Sequence, residues 1–489
     1  MSTVNTNDLR VKNAKNLIKS FNGPSLEALA YLFVGRVQPW PDDNLPPTPQ
    51  NNYQSFYTTY DNMFAMKRIS VNDAFHMIPK LNWTSGAVYD YYRQDYSSVN
   101  KATSGATNLY NCNWIVRNQT NNVYVCLNNK NGLPSTSEPQ NTSNEPFVTS
   151  DGYQWQRVYN LTAGDYESHS TDNFMPIKQI GAVSTVDGAL STVIIENPGD
   201  NFTVSPAGAP NQISSYFCHI DGDGTGAIAK VSITAAKVSD VEVVRAGSGY
   251  TYGTLDFTAN NVYQSLSDLD LSKNALDPQG DGTFRSTVII PPPGGWGTDL
   301  VRELGGTRVG VFSDLDYNLF SYFEGSFRQI GILQDATFES TNPNSAEACY
   351  AVRVTPLATG QTYSVGETIT QTIVYDTTSG ESVNKIAKGL VVGYDETTGI
   401  IRYTQSSVNV DVDGNLYRFS GSNNVIGLTS GHSSAPVNET VTVTDITLTN
   451  GYATPELTPY SGIMTYLSNI SPVTRDPLQT ERISLLIAF

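Results

Sequence analysis

The sequence has only four cysteines, Cys112, Cys126, Cys218 and Cys349, scattered over 489 residues. That number and scatter argue against a disulfide framework and a cysteine-rich zinc site. Cys112 and Cys126 could face each other across a hairpin, but free buried thiols, packed as small hydrophobes, are the expectation for all four. No window approaches 18 uninterrupted apolar residues, so no transmembrane helix is expected. The opening "MSTVNTNDLRVKNAKN" lacks the apolar core of a signal peptide. The chain is therefore expected to be made, and to fold, in a cytoplasm. Charged residues are scarce, at 15% against about 25% in typical domains. The net charge is −17, which argues against a basic nucleic-acid-binding surface.

Recognisable chemistry is also missing. The four histidines, His76, His169, His219 and His432, show no H-x-x-x-H or H-E-x-x-H spacing. There is no G-x-S-x-G, no P-loop and no G-x-G-x-x-G after a strand. With 46 carboxylates, chance Asp/Glu pairs are certain, so no glycosidase pair is assigned. Sequons such as Asn82-Trp83-Thr84 and Asn438-Glu439-Thr440 reflect an Asn/Thr-rich composition.

What is present is Asn, Ser, Thr, Gly and Tyr, a composition suited to β-rich surfaces that pack on other proteins. The length fits two to four domains. "NDLRVKNAKNLIKSF" reads as a helix with Leu9, Leu17, Ile18 and Phe21 on one face, ended by "NGP" at 22–24. "ALAYLFVGRVQPW" at 28–40 reads as a buried strand stopped by Pro39 and Pro41. "DDNLPPTPQNN" is a loop. Ser70 and Asp73 make a capping box with a shortened acid, which predicts a short helix. Residues 113–117 and 123–127 form a hairpin, and "SDGYQWQRVYNL" gives a turn and an aromatic strand. "YDYYRQDY" at 89–96 reads as core or interface, with stacking on sugars as the lesser alternative.

From about 180 onward the chain turns to small-residue β structure. "VIIENPGDNFT" at 193–203 aligns without gaps with "VEVVRAGSGYT" at 241–251. This is a strand-turn-strand duplication at an offset of 48, with Phe202 and Tyr250 stacked behind glycine turns. "DGDGTG" at 221–226 places Asp221, Asp223 and Thr225 like a calcium loop, but Ser232 stands where a bidentate Glu is needed. A glycine turn is the expectation there, and "DVDGN" at 411–415 is weaker still. "PPPGGWGTDLVRELGG" is a rigid loop, "TRVGVFSDLDY" and "FRQIGILQD" are strands, and "VVGYDETTGIIRYT" is a hairpin. The terminal "TERISLLIAF" reads as a strand covered on both faces, with Phe489 anchored by packing.

Five segments, in order, resemble the wedge protein numbered eight of T-even-like contractile-tailed bacteriophages. They are "FVGRVQPW" at 33–40, "AMKRISVNDAFHMIPKLNW" at 65–83, "DGYQWQRVYNL" at 151–161, "FRQIGIL" at 327–333 and the C-terminal "SGIMTYLSNISPVTRDPLQTERISLLIAF". The signature positions are Gly35, Arg36, Pro39, Trp40, Trp83, Tyr153, Trp155, Arg328, Gln329 and Phe489, with fold maintenance as their expected role. Arg36 and Arg328 stand out because a buried Arg needs bidentate partners. The chain departs from the family by insertions at about 180–280 and 346–450, whose Gly-Tyr-Thr repeats resemble modules of cyanophage virion proteins.

The resemblance implies an α+β, β-dominated, multidomain fold with inserted antiparallel β modules. The expected organisation is 1–105 (continued by 151–180) as an N-terminal α+β domain and 106–150 as an inserted hairpin domain. Residues 181–280 form the duplicated module, 281–345 (continued by 451–489) the C-terminal domain, and 346–450 another β module. The implied function is that of a structural subunit of the tail baseplate wedge in the virion, assembled in the host bacterial cytoplasm. The implied partners are a second copy, as a homodimer, and other wedge proteins. No catalytic residue, cofactor, metal, nucleic acid, membrane or small-molecule substrate is expected. The alternative is a tail-associated carbohydrate-binding or host-attachment protein.

Overall fold

The computed structural model describes every residue except 1–4, 22–28, 179–184, 203–213, 258–260, 273–277, 279, 316–322, 324, 340–342, 377–379, 444–445 and 477–478. Among the described residues strands take 41% and helix 12%, so the β-dominated class holds. The chain divides into two compact units. The first comprises 1–14, 76–310 and 487–489, and the second 15–75 and 311–486.

In the first unit, strands Ile115–Arg117, Asn122–Asn128, Gln154–Asn160 and Phe147–Val148 form one antiparallel sheet. The expected hairpin is present, with Ile115 opposite Val125. It continues directly into the strand after Asp151-Gly152, so residues 106–150 share their sheet with 154–160. A second antiparallel sheet runs Lys237–Ser248, Thr225–Thr234, Ser215–Gly222 and Gly253–Leu255, with Val262–Tyr263 also beside Ser215–Gly222. Thr192–Asn197 pairs separately with Arg285–Ile289.

The duplication is visible in the backbone. Gly199 and Asn201 have φ of +62° and +59°, and their counterparts 48 residues on, Gly247 and Gly249, have +65° and +76°. A left-handed φ is cheap for Gly and tolerable for Asn. In each copy the following aromatic closes over glycines. A Cβ on Gly199 or Gly280 would lie 2.8 or 2.4 Å from the Phe202 ring, and one on Gly224 would lie 2.3 Å from the Tyr250 ring. The strand expected after Phe202 begins at 203, outside the described residues.

The second unit holds a five-stranded antiparallel sheet in the order Ser345–Glu347, Met63–Ile69, Ala30–Gly35, Gly325–Gln334, Ile463–Arg475. Ala30–Gly35 is buried throughout because both its edges and both its faces are covered. A seven-stranded sheet contains the "VVGYDETTGIIRYT" hairpin as the pair Ser382–Asp395 and Ile400–Thr404.

Four expectations need correction. The capping box at Ser70 and Asp73 forms, but it closes only a 3-10 turn, Val71–Asp73. Strand Ala74–Pro79 follows, where Met77 and Ile78 are buried and pair with Phe174–Pro176. Pro79 could not continue a helix, and sheet pairing outweighs a local capping signal. Helix Asn7–Ser20 forms, but it buries Val11 and Ala14 and leaves Leu9 exposed. The "NGP" stop lies outside the described residues. All four cysteines are free, yet Cys112 is only half-buried. Finally, strand Glu481–Ala488 buries Ile483 and Leu485 on one face only, and Phe489 is 36% exposed. The terminus is one-sided because Leu486 and Ile487 are only partly covered.

Candidate functional site

The bulge between Val34 and Gly35 starts the site. Gly35 sits so close to the junction of helix Tyr53–Asn62 and strand Met63–Ile69 that a Cβ would lie 2.8 Å from the Asn62 carbonyl oxygen. Arg36 then adopts φ +59°, an unusual value for a side-chain-bearing residue, and its N–H donates to the Asn62 carbonyl at 2.9 Å. This kink lays the Arg36 guanidinium over the Trp40 ring, 3.8 Å from its centroid, and Arg36 Nη2 donates to the Pro39 carbonyl at 3.2 Å. Pro39 itself is exposed.

Arg328 reaches the same loop from strand Gly325–Gln334. It is 8% exposed and grips Asp43 with both prongs, Nε to Oδ1 at 2.9 Å and Nη2 to Oδ2 at 2.8 Å. Its Nη1 donates to the Val37 carbonyl at 2.8 Å and to the Ser326 carbonyl at 3.3 Å. This fork geometry is what a buried guanidinium requires. The Trp40 N–H also donates to Asp43 Oδ1, at 2.8 Å, while its indole N–H donates to the Ile470 carbonyl at 3.1 Å. Gln329 Nε2 donates to Asn469 Oδ1 at 2.8 Å, and Asn469 Nδ2 donates to the Pro47 carbonyl at 2.7 Å.

The electrostatics follow from this geometry. Hydrogen bonds from Arg328, then from the Trp40 N–H, hold the Asp43 carboxyl down to about 2. Partial burial, then the nearby Arg328 charge, pull Arg36 below its ordinary value, and Asp43 only partly offsets this. Arg36 Nε and Gln329 Oε1 are buried without a hydrogen-bond partner among the described residues. The assembly ties the loop 36–47 to two neighbouring strands, Gly325–Gln334 and Ile463–Arg475. It is a mechanical clasp, with its carboxylate already occupied by hydrogen-bond donors.

Six of the ten signature residues, Gly35, Arg36, Pro39, Trp40, Arg328 and Gln329, meet here. Trp83, Tyr153 and Trp155 meet elsewhere, in the first unit. Tyr153 and Trp155 stack with ring centroids 5.5 Å apart, and the Tyr153 hydroxyl donates to the Leu133 carbonyl. Trp83 Nε1 donates to Ser135 Oγ at 3.1 Å, which in turn donates to Asp151 at 2.9 Å. Burial pushes the Asp151 carboxyl up, but donors from Thr149, Ser137, Thr136 and Ser135 outweigh it and hold it at about 2. Phe489 joins neither group. Its N–H donates to the Thr307 carbonyl.

Asp43 and Asn469 are central to the clasp and were not singled out from the sequence. The signal available was the demand of a buried Arg328 for a carboxylate, which "PWPDDN" supplies beside Trp40.

The calcium-like loops are occupied from within the protein. Asp223 accepts hydrogen bonds from the Thr251 N–H at 2.9 Å, from the Thr251 hydroxyl and from the Tyr252 N–H at 3.2 Å. Asp411 accepts from the Asp413 and Asn415 N–H groups. A carboxylate aimed at N–H donors is a turn lock. Among the described residues, no three His, Cys, Asp or Glu side chains group to hold a metal ion. Tyr89, Tyr92 and Tyr96 of the "YDYYRQDY" stretch are buried in the first unit.

No protein-family model matches the chain, and no curated protein matches it.

Proposed function

We propose that the chain is a structural subunit of the tail baseplate wedge of a contractile-tailed phage, acting by dimerisation and by packing against other wedge proteins. The observation that carries the reading is the clasp. Signature positions drawn from 33–40 and 327–333, almost 300 residues apart, converge with the C-terminal segment on one hydrogen-bonded assembly. A virion part that transmits force needs loops fixed to sheets in this way.

The surface of the second unit supports the same reading. Helix Tyr53–Asn62 presents Tyr53, 79% exposed, and Tyr57, whose ring lies 5.2 Å edge-on to exposed Tyr460. Nearby in sequence, Ile463 is 60% exposed on a 13-residue strand at the end of the five-stranded sheet. Exposed apolar side chains at a sheet edge suit a permanent interface. Obligate interfaces commonly bury more than about 2,000 Å².

Light scattering on the purified chain, with electron microscopy of intact particles, tests the proposal. The expected result is a dimer whose density lies in the baseplate. A monomer at every concentration, together with a baseplate that lacks this density, would refute it.

A further inference from the structure

A cleft of ≈ 270 Å³ lies within the first unit. Its walls come from strand Gln154–Asn160, the segments 144–146 and 185–191, and the Pro/Gly loop 291–297. Its apolar lining includes Trp296, Pro146 and Pro291 beside the aliphatic Val158, Val186 and Leu190. Trp296 is fixed by Tyr92, 4.7 Å away and edge-on, and by Trp114 at 6.1 Å. Gly295 and Gly297, both at positive φ, shape the loop that carries it. Its indole N–H makes no hydrogen bond among the described residues.

The polar lining is incompletely paired. Gln156 is only 8% exposed, and its Nε2 donates to the Asn144 carbonyl at 2.8 Å. That bond sets the amide orientation and leaves Oε1 with no partner among the described residues. Buried acceptors are rarely left this way unless a ligand or water completes them. Glu145 stands exposed at the rim.

The charges argue against an anionic ligand. Arg157 is already engaged, with Nε on Asn122 Oδ1 at 2.7 Å and Nη1 on Asn144 Oδ1 at 3.0 Å and the Thr142 carbonyl at 3.2 Å. The chain as a whole carries −17, which repels anions. A rigid indole and two prolines offer flat apolar surface. An open N–H donor and a rim carboxylate offer hydrogen bonds to hydroxyls, and the unpaired Gln156 oxygen lies buried behind the wall, where only a small shift of the amide would bring it to a ligand. Ligand sites typically combine such apolar walls with a few placed polar groups, and this volume falls at the small end of their range.

We propose that this cleft is a saccharide-binding site, sized for one or two neutral sugar rings. A sugar ring would place a C–H face on Trp296 and its hydroxyls toward Glu145 and the Trp296 N–H, with Gln156 reached only if its amide turns outward. The proposal does not depend on the wedge reading, because a structural subunit and a glycan contact are compatible.

Saturation-transfer NMR on the full chain tests it with glucose, galactose, N-acetylglucosamine and maltose as probes, alongside a glycan array. At least one sugar should receive saturation from the protein and shift tryptophan emission. Glu145→Ala removes an exposed carboxylate and should leave the fold intact. Trp296→Phe keeps a ring but removes the N–H donor. Each should weaken binding by about tenfold, the loss expected for one hydrogen bond to a charged or buried group. No binding to any probe, or binding that survives both substitutions unchanged, would overturn the proposal.

Discussion

Gly224→Ala is the sharpest test of the aromatic-over-glycine design in the duplicated module. The added Cβ would lie 2.3 Å from Tyr250 Cδ2, 2.4 Å from its Cγ and 2.7 Å from the Ser248 carbonyl oxygen. Ordinary contact begins near 3.4 Å, so the ring or the backbone must move by about an ångström. The ring cannot swing away freely. Its hydroxyl donates to the Ile220 carbonyl at 2.9 Å and accepts from the Ala227 N–H at 3.2 Å. Gly222 and Gly247 close two further sides, with built Cβ positions 3.1 and 2.8 Å from the same ring. Overpacking of this kind costs about 1–3 kcal/mol, and the pinned hydroxyl places this site in the upper half. For a unit of this size about 2–3 kcal/mol lowers the melting temperature by about 4–12 °C.

Differential scanning calorimetry reads the result, with Gly164→Ala as the control. Gly164 lies in helix Ala163–His169 with nothing within 4 Å of an added Cβ and no left-handed φ. That substitution should stabilise by about 0.5–1 kcal/mol through helix propensity alone. Repeating Gly224→Ala in a Tyr250→Leu background should cost less, because the side chain that it strikes has become smaller and lost its anchor. A melting temperature within about 1 °C of the parent for Gly224→Ala, or an undiminished cost in the Tyr250→Leu background, would refute the packing argument.

The remaining predictions address the clasp, the thiols and the terminus. The folded state depresses the Asp43 carboxyl to about 2 from its ordinary 3.8, so its ion pair favours folding above 3.8 and that contribution is lost as pH falls toward 2. Asp43→Asn should therefore lose less stability than the parent across that window, as measured by urea unfolding at each pH; equal slopes would count against the clasp. Burial pushes the Cys112 and Cys218 thiols up to about 12, and Cys126 and Cys349 also lie well above their ordinary value. Native protein at about pH 8 should react slowly with a thiol-specific dye and release four equivalents once unfolded. Phe489→Ala should change stability by less than about 1 kcal/mol, as surface substitutions do, whereas Leu485→Ala should cost about 2–5 kcal/mol by chemical denaturation.

Local signals carried much of the fold. The "VVGYDETTGIIRYT" hairpin, the buried strand Ala30–Gly35 and the strand Gly325–Gln334 were legible because their patterns and turn residues agree with their pairing. The duplication was legible because an identical offset repeats both the left-handed turn and its aromatic cover. Helix Tyr53–Asn62 was not anticipated. "YQSFYTTYDN" is rich in aromatic and β-branched residues, and only the Asn52 side chain, accepting from the Ser55 N–H, marks its start. The opposite failure occurred at Ser70, where a genuine capping box is overruled a few residues later by a strand partner almost 100 residues away.

The clasp shows why site residues were only half legible. Arg328 and Asp43 are 285 positions apart, and nothing local to either marks the other. What the sequence did provide was a constraint: a guanidinium in a strand as apolar as "FRQIGIL" must find a carboxylate or suffer an excessive desolvation cost. The structure meets that constraint with Asp43 and uses the same carboxylate to cap the Trp40 N–H. Arg36, by contrast, finds a ring and a carbonyl rather than a carboxylate, and its Nε has no partner among the described residues. Of the two arginines, Arg328 is therefore the fixed element that holds the loop. Arg36 is the weaker tie, held by a ring face and one carbonyl, with a buried Nε that no acceptor among the described residues meets.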